Sequence, residues 1–142
     1  MTTWVGWFCF CVLGATAALH AYWALGGLWP AAAEPDLVKT VIGADHDRMP
    51  AAGLTLLVAF LIFTAGVFAF ARGVLDWDSR LFLRIPLAGL AAIFLLRGTA
   101  SYLPGPFARS VEPFATLNAL YFSPLILLLG LGFAYLALAP RS

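Results

Sequence analysis

Charge is what this sequence of 142 residues has least of. Aspartate, glutamate, lysine and arginine together make up 11% of it, against about 25% in an average soluble domain. The chain is 63% hydrophobic, with a mean hydropathy of +0.94. A soluble fold this short could not hide so much apolar surface from water. The composition therefore excludes an ordinary soluble domain and indicates that the lipid bilayer is the solvent for most of the chain.

Several chemical signatures are also absent from the sequence. Eight basic residues balance seven acidic ones, for a net charge of +1, so we predict no nucleic-acid partner, which would call for a basic patch. There is no glycine-rich phosphate loop, nucleophile elbow or HExxH motif. Cys9 and Cys11 would point about 200° apart on a helix, so they are expected to be small buried residues and not a disulfide. The sequence identifies neither a catalytic group nor a cofactor.

What the sequence has in abundance is long apolar runs. Four of them approach or exceed the ~20 helical residues that cross a hydrocarbon core, and the third is the shortest. They predict an all-α protein, a four-transmembrane-helix bundle, with residues 1–142 forming a single integral membrane domain. Pro124 lies inside the fourth run and predicts a kink, where Ser123 could satisfy a freed backbone carbonyl. The predicted spans are about 4–28, 51–71, 86–102 and 114–139.

The two membrane faces differ only slightly in their number of basic residues. The face of the second loop and the termini carries four arginines, and the opposite face carries Lys39, Arg48 and Arg109, with Arg97 nearby. Because the middle loop is the most basic and the first loop is net acidic, we favour cytoplasmic termini. The four arginines of the first group are Arg72, Arg80, Arg84 and Arg141.

Polar side chains gather near one of these faces. His20 and Trp23 lie toward the end of the first span, Arg97 toward the end of the third, and Asn118 and Tyr121 in the first turns of the fourth. Alternating helix directions bring all five to the same side. A charged residue at the centre of a membrane helix costs about 2.5–3.5 kcal/mol. Arg97 is not at the centre, so its cost is lower, but the span continues past it to Tyr102, and Arg97 is therefore a candidate binding or catalytic group. The alternative is an interface anchor or a structural ion pair.

The two histidines leave similar alternatives open. His20 is either a hydrogen-bonded packing residue or a group that exchanges protons or binds a metal, and Trp23 also fits an ordinary aromatic belt. Asp45-His46-Asp47 has no recognised metal spacing, so we predict no metal site. A haem held by both histidines would require the loop of His46 to fold inward.

Three segments carry a resemblance to a known family. They are H-A-Y-W-A-L-G-G at residues 20–27, L-L-R-G-T at 95–99 and P-F-A-T-L-N-A-L-Y-F-S-P-L at 113–125. In this order they resemble a family of small bacterial four-helix membrane proteins described only as a domain of unknown function. The resemblance implies a four-span fold and supplies no activity or cofactor. It also implies an acidic residue before the Y-x-S-P motif, where this chain has Asn118, so a carboxylate-based mechanism is not implied.

Three functions remain as hypotheses, and the first is a binding module. A polar recess near one face, covered by the first loop, would take a lipid-like or small amphipathic ligand with its head in the recess and its tail along the apolar half. Arg97 would pair with an anionic or carbonyl oxygen. The predicted ligand-binding residues are His20, Trp23, Arg97, Asn118 and Tyr121.

The other two hypotheses use the same helices differently. An accessory subunit of a larger membrane complex would explain the small-residue faces, such as Gly14 and Ala18 in the first span and Gly130 and Gly132 in the fourth. A membrane enzyme, an isomerase or reductase acting on a lipid or quinone, would use His20 for proton transfer and Arg97 to stabilise negative charge. The predicted partners are thus the lipid bilayer, a small amphipathic ligand and subunits of a membrane complex.

Overall fold

The computed structural model describes residues 1–105 and 109–140, and all regular secondary structure in these two ranges is helical. Four of the helices are long and apolar enough to cross a membrane, and one is short. This confirms the prediction of an all-α bundle of four transmembrane helices. Arg141, which was counted in the orientation argument, lies outside the described residues. The helices are α1 (Thr2–Ala24), α2 (Glu34–Val41), α3 (Ala52–Gly73), α4 (Arg80–Ala100) and α5 (Phe114–Leu138).

The end of α1 comes four residues before the predicted end of the first span. Gly26 adopts a φ of +91°, which ends the helix. The N–H groups of Gly26 and Gly27 then donate to the carbonyls of Trp23 and Tyr22 at 3.0 and 2.9 Å. A left-handed glycine followed by such bonds satisfies the last carbonyls of a helix without further turns.

The start of α4 comes six residues before the predicted start of the third span. Its first turn, Arg80–Arg84, is π-helical, and the hydroxyl of Ser79 accepts a hydrogen bond from the Phe82 N–H at 3.3 Å. Two arginines in this turn lower its mean hydropathy, so a search for apolar runs misses it. Pro86 falls in the first turn of the α-helical part, where its missing N–H is tolerated.

The four long helices form two closely packed hairpins. α1 packs along α3, and α4 packs along α5, whereas the contacts between the two hairpins are much less extensive. The buried core between them includes Cys9, Leu13, Ala69, Leu87 and Phe133. Cys11 is exposed, so the prediction that both cysteines are buried is wrong for Cys11. Large apolar side chains elsewhere on the helices are exposed, as expected where the neighbouring solvent is lipid.

The fourth span changes its helical form in its first third. α5 begins with one α-helical turn, Phe114–Leu117, continues as a π-helix over Asn118–Phe122, and returns to an α-helix at Ser123. The Ser123 N–H donates to the carbonyl of Asn118, five residues earlier. The Ser123 hydroxyl donates to the side-chain oxygen of Asn118 at 3.1 Å, so it does not serve a freed backbone carbonyl as predicted. A kink at Pro124 stays a prediction.

One end of the bundle is tied together by charged side chains. Arg72, which is fully buried near the end of α3, donates through Nη2 to the carbonyls of Ala139 and Pro140 at 2.9 and 3.1 Å. Asp78 accepts from Nε and Nη2 of Arg84 at 2.7 and 2.9 Å. Arginines favour the last carbonyls of a helix, where the helix dipole is negative. We call this the clamped end, defined by Arg72, Asp78 and Arg84, and the opposite end, which holds His20 and Arg97, the cavity end.

Candidate functional site

A cavity of about 560 Å³ lies between the two hairpins at the cavity end. It forms because the hairpins contact each other little there, so α1 and α3 face α4 and α5 across open space. Most of its wall is aliphatic or aromatic. The lining residues come from all five helices: Leu13, Thr16, Leu19, His20 and Trp23 of α1, Val41 of α2, Ile62 of α3, Ile93, Phe94 and Arg97 of α4, and Phe114, Phe122, Leu125, Ile126 and Leu129 of α5.

Arg97 is the charged group of this wall. It lies in the last turn of α4, half-buried, and its Nη1 donates to the hydroxyl of Ser101 at 2.6 Å. Its Nη2 donates to Oδ1 of Asn118 at 3.2 Å, and the same oxygen accepts from Ser123. Asn118 is buried in the π-helical turn of α5. The guanidinium is therefore fixed by side chains of two helices at the edge of the cavity.

His20 faces Arg97 from the other hairpin. Its Nδ1 lies 2.8 Å from the carbonyl of Thr16. Since a carbonyl can only accept, Nδ1 carries the hydrogen, and in the neutral ring Nε2 is an acceptor. The ring also contacts Trp23, with centroids 5.2 Å apart, and the Trp23 indole N–H donates to the carbonyl of Trp29 at 2.7 Å. These contacts hold both rings in place on the cavity wall.

α2 covers the outer side of this region. The prediction of a covering first loop is refined, because part of that loop is a short amphipathic helix with Leu37 and Val38 fully buried. The carbonyl of Gly43 accepts a hydrogen bond from the Val111 N–H at 3.0 Å, which ties this segment to the chain before α5. A smaller cavity of about 170 Å³ lies beneath α2 and is lined by His20, Trp23 and Met49, among others.

The structure brings most of the predicted site residues together. His20, Trp23 and Arg97 line the cavity, and Asn118 lies behind Arg97 as its hydrogen-bond acceptor. Tyr121 is 64% exposed and is not among the residues that line the cavity. Its participation in binding stays a prediction.

Sequence reasoning missed two contacts that support this site. Ser101 follows Arg97 by four positions, so helical spacing alone could have paired them. Ser123 follows Asn118 by five positions, a spacing that only a π-helical turn brings together. No pattern in the sequence would have revealed that turn.

The residues that the structure describes contain no group of three or more histidine, cysteine or acidic side chains able to hold a metal. Asp45, beside His46, forms an ion pair with Lys39 at 3.2 Å. The absence of a resident metal stays a prediction. The groups that the cavity itself offers are a guanidinium, an imidazole and apolar surface.

Comparison with known proteins identifies the family of this chain. The model of a protein family of unknown function, DUF3995, matches residues 13–133 of this chain. The chain belongs to the DUF3995 family. The match spans the helices that carry His20, Arg97 and Asn118, and it confirms the predicted membership of a family without assigned function. No curated protein matches the chain, and no solved structure does so either. The family description assigns no activity, and it is the four long apolar helices that indicate an integral membrane protein.

Proposed function

We propose that this DUF3995 protein binds an amphipathic molecule in the cavity, with a polar head at Arg97 and His20 and a hydrocarbon tail toward the membrane centre. One observation carries the proposal. A single cavity of about 560 Å³ has both of these side chains on its wall, while the wall toward Leu13 and Leu129 is apolar. Cavities that bind small molecules are typically about 300–1,000 Å³ in volume, mostly apolar and furnished with a few fixed polar groups.

The head of the ligand follows from the two polar groups. A guanidinium forms charge-assisted hydrogen bonds with carboxylate or phosphate oxygens, and such bonds strengthen where water is excluded. Nε2 of neutral His20 can accept a hydrogen bond from a hydroxyl. Arg97 already donates to Ser101 and Asn118, which orients its plane before a ligand binds. A carboxylate, phosphate or carbonyl oxygen fits Arg97, and a hydroxyl on the same head would fit His20.

The tail follows from the depth of the cavity. Trp23 and Leu13 both line it, and ten residues of an α-helix span about 15 Å. The cavity therefore extends from the membrane face well into the apolar part of the bundle. A hydrocarbon chain would pack against Leu13, Ile126 and Leu129, with about 0.1–0.2 kcal/mol gained for each pair of atoms in contact.

The two alternative functions, a membrane enzyme and an accessory subunit, require different observations. An isomerase or reductase would use the same cavity, with His20 as the proton-transfer group, since the described lining includes no Asp or Glu. It requires that the bound lipid or quinone be chemically changed. An accessory subunit requires fixed partner proteins on the lipid-facing surface, which would co-purify from native membranes.

The orientation of the chain is also a proposal. With cytoplasmic termini in a bacterial inner membrane, the clamped end faces the cytoplasm and the cavity end faces outward. The basic residues of the clamped end, Arg72, Arg80 and Arg84, favour this weakly by the positive-inside rule. Fusions of alkaline phosphatase and of green fluorescent protein to the C-terminus test it, because phosphatase is active only outside the cytoplasm.

Binding is tested with Trp23 as the reporter. Replacing the four other tryptophans by phenylalanine leaves Trp23 as the only indole, and each of the four is exposed. The protein is placed in lipid nanodiscs and titrated with a fatty acid whose chain carries bromine, which quenches indole fluorescence on contact. We expect saturable quenching. The replaced residues are Trp4, Trp7, Trp29 and Trp77.

Substitutions then test which residues bind the head of the ligand and which bind its tail. Arg97→Gln should weaken binding by about tenfold or more, since a hydrogen bond to a charged group contributes roughly 1.5–3 kcal/mol, and Arg97→Lys should restore part of the affinity. Ile126→Phe should weaken binding by filling the tail region. Arg80→Gln, at an exposed position of the clamped end, is the matched control. Equal affinities for Arg97→Gln, Ile126→Phe and this control would refute the proposal.

A further inference from the structure

A second apolar space opens from the side of the bundle, between α3 and α4. It is a groove of about 510 Å³, and among its lining residues only Thr64 is polar. Although α3 and α4 follow each other in the chain, they contact each other far less than α1 contacts α3. A Cβ placed on Gly89, in the wall of the groove, would meet no atom within 4 Å. The groove therefore faces the hydrocarbon region of the membrane.

The groove and the cavity share a wall. Ile62, Ile93 and Phe94 line both spaces. Phe94 is held by an edge-to-face contact with the buried ring of Phe133, with centroids 5.1 Å apart. Ile93 is 62% exposed, and side chains of that kind change rotamer in picoseconds to nanoseconds. The movable part of the wall is thus the side chain of Ile93.

The water side of the cavity is closed more firmly. Leu37 and Val38 of α2 are fully buried, and the hydrogen bond from Val111 to Gly43 ties the end of that segment down. A ligand that arrived from water would have to lift α2 and expose these side chains. A ligand that arrived from lipid would have to displace only one or two side chains already in contact with hydrocarbon.

We infer that the ligand is a component of the bilayer and that it enters sideways, through the groove between α3 and α4 and past Ile93. This inference rests on the proposed function and narrows its ligand class to molecules dissolved in the membrane. The hydrocarbon chain crosses the shared wall, while the head stays near the membrane face. Arg97 follows Ile93 by one turn of α4, about 6 Å closer to that face, so the head need not cross the apolar wall.

The rate of quenching in the protein with Trp23 as its only tryptophan tests this route. The brominated fatty acid is mixed rapidly with nanodiscs that contain the protein, and the rate and the final extent of quenching are both recorded. Ile93→Phe enlarges the side chain between groove and cavity. Leu96→Phe is the matched control, because Leu96 lies on the same helix, is 71% exposed and lines neither space.

We expect Ile93→Phe to slow quenching by about fivefold or more, which corresponds to roughly 1 kcal/mol of barrier, while the final extent changes much less. Leu96→Phe should match the parent protein. Equal rates for the two variants would overturn the lateral route and leave the binding proposal intact. Faster quenching in Gly43→Ala, which should loosen α2, would instead support a route from water. If the parent protein shows no saturable quenching, both proposals fall together.

Discussion

The two ends of the bundle place arginines near the ends of helices and use them in opposite ways. At the clamped end, Arg72 is fully buried and holds the carbonyls of Ala139 and Pro140, just after the end of α5, while Arg84 binds Asp78 through two hydrogen bonds. At the cavity end, Arg97 is held by the neutral side chains of Ser101 and Asn118 and lines open space. The same residue type closes one end and furnishes a binding surface at the other.

The clamped end also has the closer contact between helix backbones. A Cβ on Gly73 would lie 2.7 Å from Cα of Gly6 and from the carbonyl oxygen of Thr2, so α1 and α3 touch through their backbones at the clamped end. Among the glycines that the structure describes, none makes such a contact from one hairpin to the other around the cavity. A bundle held firmly at one end can leave space between its hairpins at the other, because packing near the clamp keeps the helices associated.

The largest expected effect comes from removing the clamp. Arg72→Ala should lower the free energy of unfolding in detergent micelles by about 3–5 kcal/mol, because it removes the buried cation that pairs with Asp76 at 3.2 Å and with Asp78 at 4.0 Å and that binds the two carbonyls after α5. Arg80→Ala, an exposed arginine in the first turn of α4, should change it little. Thermal or denaturant unfolding of the two variants provides the comparison. If both unfold alike, the clamp does not hold the bundle together.

A smaller effect is expected from forcing α1 and α3 apart. Gly73→Ala should destabilise by about 1–3 kcal/mol, as overpacking in a tight contact typically does. Gly53→Ala lies in the first turn of the same helix, where a Cβ meets no atom within 4 Å, and should leave stability unchanged or slightly higher. The difference in melting temperature between the two variants is the measurement, and its absence would mean that α1 and α3 do not depend on this contact.

The two ends of the bundle also differ in how well the sequence predicts them. Hydropathy predicts the four spans, and alternating helix direction predicts that His20 and Arg97 share one end. Arg72 and Arg84 appeared to be loop charges, because hydropathy does not indicate that a charged side chain turns inward to hold the carbonyls of another helix. The clamp is a tertiary feature without a local signal.

Tyr121 illustrates a second limit. Asn118 and Tyr121 were both predicted to line the recess, and in a regular α-helix residues three apart lie about 60° apart around the axis. The π-helical turn over Asn118–Phe122 has more residues per turn. It leaves Asn118 buried and Tyr121 exposed. Helical phase cannot be predicted through a turn whose form the sequence does not reveal.

The two described partners of Arg97, Ser101 and Asn118, are neutral, and a substitution can give one of them a charge. Asn118→Asp keeps an oxygen acceptor for Arg97 and Ser123 and adds a negative charge beside the guanidinium. We expect the affinity for the brominated fatty acid to fall by about tenfold, or roughly 1.4 kcal/mol, because the two carboxylates compete for one cation. The corresponding brominated alcohol is the control and should bind as before. A parallel loss for both ligands would mean that the substitution distorts the cavity and that charge plays no part.

The smallest expected effect on global stability comes from a substitution next to α2, which covers the cavity end. Gly43 has a φ of +78°, and a Cβ there would collide with the ring of Phe114. Gly43→Ala should therefore displace α2 or Phe114. We expect amide hydrogen exchange in α2 to rise by about fivefold, with under about 1 kcal/mol lost in global stability, since the opening is local.

Gly26→Ala is the matched control, because its φ is +91° but its Cβ would meet no atom within 4 Å. Both variants carry the backbone strain of an alanine at positive φ, so any excess exchange in Gly43→Ala measures the contact with Phe114. Equal exchange in α2 for the two variants would show that Phe114 does not hold this cover in place, and that the cavity end is covered more loosely than its buried leucine and valine suggest.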